Sequence, residues 1–136
     1  MTETEIRQLI EKRHQGFTGY SGVVIDEAGG GLCRAHIELE PRHLNPLGAA
    51  HGGLLATLLD VTAGTAAITA FDPPRWVVTQ SADVHYLRPA LGKRLTASAK
   101  TLKAGRSVAY VQAEVCDEQG RVVTAGGYEL FYVDKK

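Results

Sequence analysis

Between Gly52 and Ala70 the residues Leu54, Leu55, Leu58, Leu59, Thr62 and Ala66 recur at intervals of three and four, and Asp72-Pro73-Pro74 closes the stretch. That spacing predicts one long helix, the only long one in the chain. After it come four strand-like runs, RWVVTQSADVHYL, KRLTASAKTLK, SVAYVQAEVCD and RVVTAGGYELFYV, separated by short Gly- and Pro-containing turns. Ahead of it YSGVVIDEA and LCRAHIELE flank Gly29-Gly30-Gly31, the pattern of a hairpin. The glycine triplet lacks the GxxxxGK(S/T) frame and the following helix that a phosphate cradle requires. Residues 3–14 place Ile6, Leu9 and Ile10 at helical spacing among charges, which predicts a short amphipathic helix on the domain surface. Short turns favour antiparallel pairing, because a parallel crossover needs a dozen or more residues. One face of such a sheet must be covered, and the helix at 52–70 is the only element long and apolar enough. The expected fold is α+β, an antiparallel sheet of about six strands wrapped around one long central helix.

At 136 residues and 44% hydrophobic composition the chain suits a single domain over 1–136, with an N-terminal helix within 1–15. Lys plus Arg balance Asp plus Glu at 15 each, so no net field draws the chain to nucleic acid or an anionic membrane. Cys33 and Cys116 have no metal-ligand spacing and the N-terminus is charged, which points to reduced thiols and a cytoplasmic location. Residues 54–71 are apolar enough to suggest a membrane span, but a span would put Asp60 in hydrocarbon at a cost of several kcal/mol.

Asp60 interrupts an otherwise apolar helix. Its neighbours at helical spacing are Gly53, Ala56, Thr57, Ala63, Gly64 and Ala67, all small, while the leucines fall mostly on the other side. An isolated carboxylate is usually solvated, yet no other charge occurs between Arg42 and Asp72. The small face therefore predicts close approach by a ligand or a second backbone. At the helix start, His51-Gly52-Gly53 offers backbone N–H groups without internal partners, at the positive end of the dipole. Gly52 is thus a candidate single-donor oxyanion site; the alternative is a glycine required only by a tight loop-to-helix turn. Asp60 lies eight residues beyond Gly52, about 12 Å along the axis. If both groups act on one carbonyl, two subunits must supply them, and the site lies at a homodimer interface.

The frame H-x-N-P-x-G-x-x-H-G-G-(x)6-D, formed by His43, Asn45, Pro46, Gly48, His51, Gly52, Gly53 and Asp60, resembles hotdog-fold acyl-CoA thioesterases of the phenylacetate-degradation type. TQSADVHYLRPALG and GRSVAYVQAEVCDEQGRVVTAGG extend the resemblance over nearly the whole chain beyond the N-terminal helix. It implies hydrolysis of an acyl-CoA thioester at sites between subunits of a homodimer, with dimers pairing into a homotetramer. It also implies Asp60 as the catalytic carboxylate, acting as nucleophile or as base toward water, and the Gly52 N–H as polariser of the thioester carbonyl. Asn45 then lies near the reacting carbonyl or water, His51 orients the loop, and Thr79 supplies a hydroxyl that holds water. Gly53, Arg88, Arg106 and Ser107 fall among the positions that contact substrate or coenzyme A. No cofactor is expected, coenzyme A entering only as part of the substrate.

The chemistry suits so few groups. A thiol leaves with a pKa of about 8.5, so an aspartate and one oxyanion donor suffice without a general acid. Ser21, Ser81, Ser98 and Ser107 are scattered and no GxSxG elbow occurs, which argues against a Ser-His-Asp hydrolase. His43, His51 and His85 lack the spacing of a metal site, and His43 and His85 read as ordinary loop or strand residues. The competing functions are a hydratase acting on enoyl-CoA, suggested by Asn45-Pro46, and a non-catalytic acyl-CoA sensor. Asp60 disfavours the sensor, since binding alone gains little from a buried carboxylate. Leu47, Leu54, Trp76 and Tyr128 are candidate walls of the acyl pocket, which leaves aryl-acetyl, benzoyl and fatty acyl groups open.

Overall fold

The computed structural model describes residues 1–133. The chain order is α1 (Glu3–Arg13), α2 (Phe17–Ser21), β1 (Val24–Gly29), β2 (Leu32–Glu38) and a 3-10 turn at Pro41–His43, then α3 (Gly52–Ile68), β3 (Trp76–Tyr86), β4 (Arg94–Ala104), β5 (Val108–Cys116) and β6 (Val122–Val133). The six strands form one sheet in the order β1-β2-β4-β5-β6-β3, with every neighbouring pair antiparallel. Its inner face wraps α3, giving the hotdog arrangement anticipated above. No helix among the described residues is long and apolar enough to cross a membrane.

Strand pairing departs from the simplest expectation at one point. Residues 87–93 do not turn β3 back onto β4; β3 pairs with β6 instead, from Trp76 opposite Val133 to Tyr86 opposite Thr124. Both sides of β4 are already engaged, by β2 and β5. A seven-residue segment can reach roughly 23 Å, whereas three strand spacings amount to roughly 14 Å, so a short connection does not oblige its strands to be neighbours. The segment is pinned as it crosses: Leu87 and Arg88 N–H donate to Val123 O at 2.8 and 3.3 Å, and Ala90 O accepts from Ala50 N–H at 2.9 Å.

Local chemistry sets the other connections. Gly30 and Gly31 form the β1–β2 turn at φ values of 58° and 83°, a left-handed pair that L side chains rarely adopt. Thr2 caps α1 by accepting from Glu5 N–H at 3.1 Å. α1 is less superficial than its charges suggest, for Leu9 is buried and both its last residue, Arg13, and its C-cap, His14, reach inward. His14 Nε2 accepts the Ile25 N–H at 2.9 Å on the outer edge of β1. The short helix α2 takes Tyr20 and Ser21 from the start of a run read from the sequence as strand.

Leu58 and Leu59 of α3 are fully buried among sheet residues such as Ile37, Leu95, Val111 and Val115. The threonines of α3 return their hydroxyls to its own backbone, Thr62 to Leu58 O at 2.6 Å and Thr65 to Val61 O at 2.7 Å, so they enter the core satisfied. Leu58→Ala removes a fully buried core side chain and is expected to lower unfolding free energy by about 2–5 kcal/mol. Denaturant titration at unchanged m-value checks this.

Candidate active site

The loop 44–51 is built around Asn45. Its side-chain oxygen accepts from Leu47 and Ala49 N–H at 2.9 and 3.1 Å, its backbone N–H donates to Ala49 O at 2.7 Å, and Gly48 takes φ 87° to close the turn. The Asn45 carboxamide oxygen is therefore committed to the loop, which leaves its amide NH2 as the end able to meet a substrate. His43, immediately before it, is buried and structural. Its Nδ1 accepts from Glu40 N–H at 3.0 Å, so Nε2 carries the proton and donates to Ser21 O at 2.8 Å. The His43 carbonyl in turn accepts the His51 N–H at 2.9 Å.

His51 is the N-cap of α3, and its Nδ1 accepts from Gly53 N–H at 2.8 Å. That hydrogen bond divides the two glycines. The Gly53 N–H is occupied, whereas among the described residues no acceptor faces the Gly52 N–H. A free donor thus stands at the positive end of the helix. Tyr86 of β3 lies over it: an added Cβ on Gly52 would stand 3.6 Å from the ring, and the hydroxyl donates to Gly52 O at 3.2 Å. Tyr86 was not singled out by the sequence, where nothing links it to a glycine 34 residues earlier.

Two turns along α3, Asp60 is half-buried and its Oδ1 accepts a 2.6 Å hydrogen bond from Thr79 Oγ1 on β3. Asp60 and Thr79 are thus brought together within one chain. Tyr128, a candidate pocket wall, is buried nearby on β6; burial holds its phenol well above the usual range, and the charges of Asp60 and Tyr86 add to this. The phenol therefore stays neutral beside the carboxylate.

Beyond Asp60 the small-residue face is not open. Ala63, Gly64 and Ala67 are fully buried, because Arg13 of α1 reaches over Gly64 and Tyr132 Oη donates to Ala67 O at 2.7 Å. Only the half carrying Gly53, Ala56, Thr57 and Asp60 remains accessible.

The remaining candidates lie apart. Arg88 is exposed on the connection pinned to Val123, at one end of β6, while Arg106 and Ser107 are exposed at the β4–β5 hairpin, whose Ser107 O accepts from Tyr132 N–H at 2.8 Å at the other end. Nine residues of strand separate these ends by roughly 30 Å. Leu47 is almost fully exposed, Leu54 is half-buried, and Trp76 lies at the far end of α3, where Lys12 Nζ sits 5.2 Å from its ring. His85 is exposed on the outer sheet face, 3.3 Å from Asp83. There it lines a groove of about 850 Å³ that also includes Arg34, Lys100 and Glu114 and none of the candidate catalytic residues. The Cys33 thiol is pushed up to about 12 by burial and so is no nucleophile at neutral pH. Native protein is accordingly expected to leave Cys33 unmodified by a disulfide reagent at pH 8 and to expose it on unfolding, as thiol titration with and without denaturant would show.

The model of the thioesterase superfamily matches residues 47–124, a span that holds the helix, Asp60 and Thr79. The chain belongs to the thioesterase superfamily. This member is 27% identical over 106 residues to human acyl-coenzyme A thioesterase 13, covering 76% of this chain and 75% of that one. Its fold matches the Escherichia coli PaaI protein from the phenylacetic acid degradation operon with a TM-score of 0.88 at 18% identity, over 100% of this chain and 99% of the other. A Streptococcus pneumoniae thioesterase structure with coenzyme A matches with a TM-score of 0.81 at 22% identity, over 93% and 98% of the two chains.

Proposed function

We propose that this thioesterase-superfamily member hydrolyses an acyl-CoA thioester to a free acid and coenzyme A, at a site completed by two copies of the chain. The observation that carries this is the pair of groups on α3: an unengaged Gly52 N–H at the helix start and the Asp60–Thr79 pair two turns on. About 12 Å of helix separates them, too far for one chain to set both on one carbonyl. The naming of human acyl-coenzyme A thioesterase 13 and the coenzyme A in the Streptococcus structure support the substrate class.

The sheet edges favour a particular assembly. β1 has an outward N–H capped by His14, whereas β3, at the other end of the sheet order, has no strand on its outer side among the described residues. Antiparallel addition of a second β3 continues the sheet, and the register that serves a two-chain site has its two-fold axis near Ala82–Asp83, with position 79 of one chain against position 86 of the other. That places the Asp60–Thr79 pair of one protomer beside the Tyr86–Gly52 pair of its partner. The same two-fold brings the Arg88 end of one sheet to the Arg106 and Ser107 end of the other, giving coenzyme A phosphates a basic cleft. The groove on the outer face, with Arg34 and Lys100 against Asp83 and Glu114, is charge-complementary to a copy of itself and suits pairing of dimers into a tetramer.

In the proposed reaction the Gly52 N–H stabilises the developing oxyanion while Asp60 either takes a proton from a water that attacks the carbonyl, or attacks it directly to form a mixed anhydride that water then cleaves. The C–S bond breaks, and the thiolate needs no general acid. Free-thiol release from phenylacetyl-, benzoyl- and decanoyl-CoA tests the reading. Release from at least one is expected; binding of all three without release from any would favour a sensor and overturn it. Sedimentation of an active monomer would remove the two-chain site.

A further inference from the structure

We infer that Tyr86 of β3 is a positioning residue for the Gly52 N–H: its hydroxyl and ring hold the first residue of α3 in place, so that the donor is already aimed when a thioester arrives. The inference rests on the thioesterase reading above. α3 opens on Gly52 and Gly53, and glycine loses more backbone freedom on ordering than any other residue, so the turn that carries the donor is the one least able to fix itself. A donor stabilises an oxyanion best when it is fixed beforehand. Three side chains restrain this turn. His51 Nδ1 accepts from Gly53 N–H at 2.8 Å and Thr57 Oγ1 donates to Gly53 O at 2.9 Å, both on the second glycine. On the first, among the described residues, the bonding side chain is Tyr86, whose Oη donates to Gly52 O at 3.2 Å.

Three features give this contact a role beyond packing. Tyr86 takes the carbonyl and leaves the Gly52 N–H without an acceptor among the described residues, so it restrains the residue without occupying the donor. Its ring lies on the side of Gly52 where a side chain would stand: a Cβ there would meet Cε1 at 3.6 Å and Cζ at 3.7 Å, ordinary van der Waals distances. Hydroxyl and ring thus close off two directions of motion, one along the helix axis, where the carbonyl points, and one across it. Finally, Tyr86 is 53% exposed and stands outside the buried core, so the fold has little need of it. The strand that delivers Tyr86 also holds Asp60, through the 2.6 Å hydrogen bond from Thr79. Paired with β6 from Trp76 to Tyr86, β3 carries a restraint on each reactive group of α3.

The test compares Tyr86→Phe and Tyr86→Ala with wild type, measuring kcat, KM and Tm on whichever of the three acyl-CoA esters the wild type cleaves fastest. Tyr86→Phe loses the hydroxyl and keeps the ring; kcat is expected to fall roughly fivefold with KM within about twofold. Tyr86→Ala loses both, and kcat is expected to fall roughly 30-fold, short of the roughly 10²- to 10³-fold that goes with removing a donor outright. In a Gly52→Pro background no donor remains to be aimed, so the same alanine change should lower kcat by less than about twofold. A ring that only supported the fold or bound substrate would lower kcat, or raise KM, by the same factor in both backgrounds. Backbone amide relaxation reads the positioning without any activity: the Gly52 order parameter is expected at about 0.85 in wild type and below about 0.6 in Tyr86→Ala, with Thr62 in the same helix unchanged. Tyr86→Phe, smaller by one oxygen, carries the test if Tyr86→Ala fails to fold. Wild-type kcat in the Tyr86 variants, an equal loss in the Gly52→Pro background, a loss confined to KM, or a Gly52 amide as rigid in Tyr86→Ala as in wild type overturns the inference. Any of these, beside a wild type that releases thiol and an Asp60→Asn variant that does not, sinks this inference alone. A wild type that releases no thiol sinks the reading beneath it.

Discussion

Asp60→Asn is expected to reduce kcat for thiol release by on the order of 10²- to 10⁴-fold, the range typical of losing a positioned base. The fold should survive. Asparagine is isosteric, its side-chain oxygen can still accept the 2.6 Å hydrogen bond from Thr79, and Asp60 is half-buried rather than sealed in the core. What disappears is a negative oxygen able to take a proton from water or to attack a carbonyl. The groups that would bind coenzyme A lie at the sheet ends, so KM should change little and the loss should appear in kcat, the mark of an interaction made in the transition state. Thiol release by the variant at the wild-type rate, with an unchanged melting temperature, would remove Asp60 from the chemistry.

Gly52→Pro is expected to abolish activity as thoroughly, and to do so by deleting a single hydrogen. Proline is well suited to the first position of a helix, where the missing N–H had no partner. The backbone already accommodates it: His51 before it sits at φ −62° and ψ 139°, the extended conformation that a residue preceding proline adopts. A glycine required only for its turn should tolerate the change in activity as well as in stability. The two dead variants can then be mixed. If each site joins Gly52 of one chain to Asp60 of the other, a heterodimer of Gly52→Pro with Asp60→Asn contains one intact site and one doubly damaged site. Random exchange makes half the dimers mixed, so about a quarter of wild-type activity should return. A site contained within one chain would return none.

Much of the fold could be read along the chain because the signals were local. Alternation marked the strands, three- and four-residue spacing marked α3, and paired glycines marked the first hairpin. What escaped was set by distant contacts. The length of 87–93 fixes a reach and not a neighbour, so pairing of β3 with β6 depended on β4 being taken on both sides. α2 is five residues with an interior glycine, held by its surroundings rather than its propensity. In the candidate site, Asp60 was legible as a lone charge among small residues. Gly52 was legible as a candidate donor from its place at the helix start, but only the His51 ring, by taking the Gly53 N–H, leaves the Gly52 N–H open. Arg13 was one of two arginines in a charged N-terminal stretch, and only the fold sets it against a glycine 51 residues away.

The hydrogen bond from Ile25 to His14 bears on how large an assembly can become. A sheet with two bare edges is a monomer unit for indefinite growth, each added chain presenting a fresh edge like the one it covered. Here one end of the sheet order has an outward N–H, that of Ile25, taken by the ring of His14, and the other has no strand beside it among the described residues. Two copies joined through their β3 edges leave the β1 edges, each with its His14, facing outward. In the proposed pairing, elongation then ends at two copies, and a chain that offers an exposed strand to its partner is spared the fibre to which such a strand would otherwise lead.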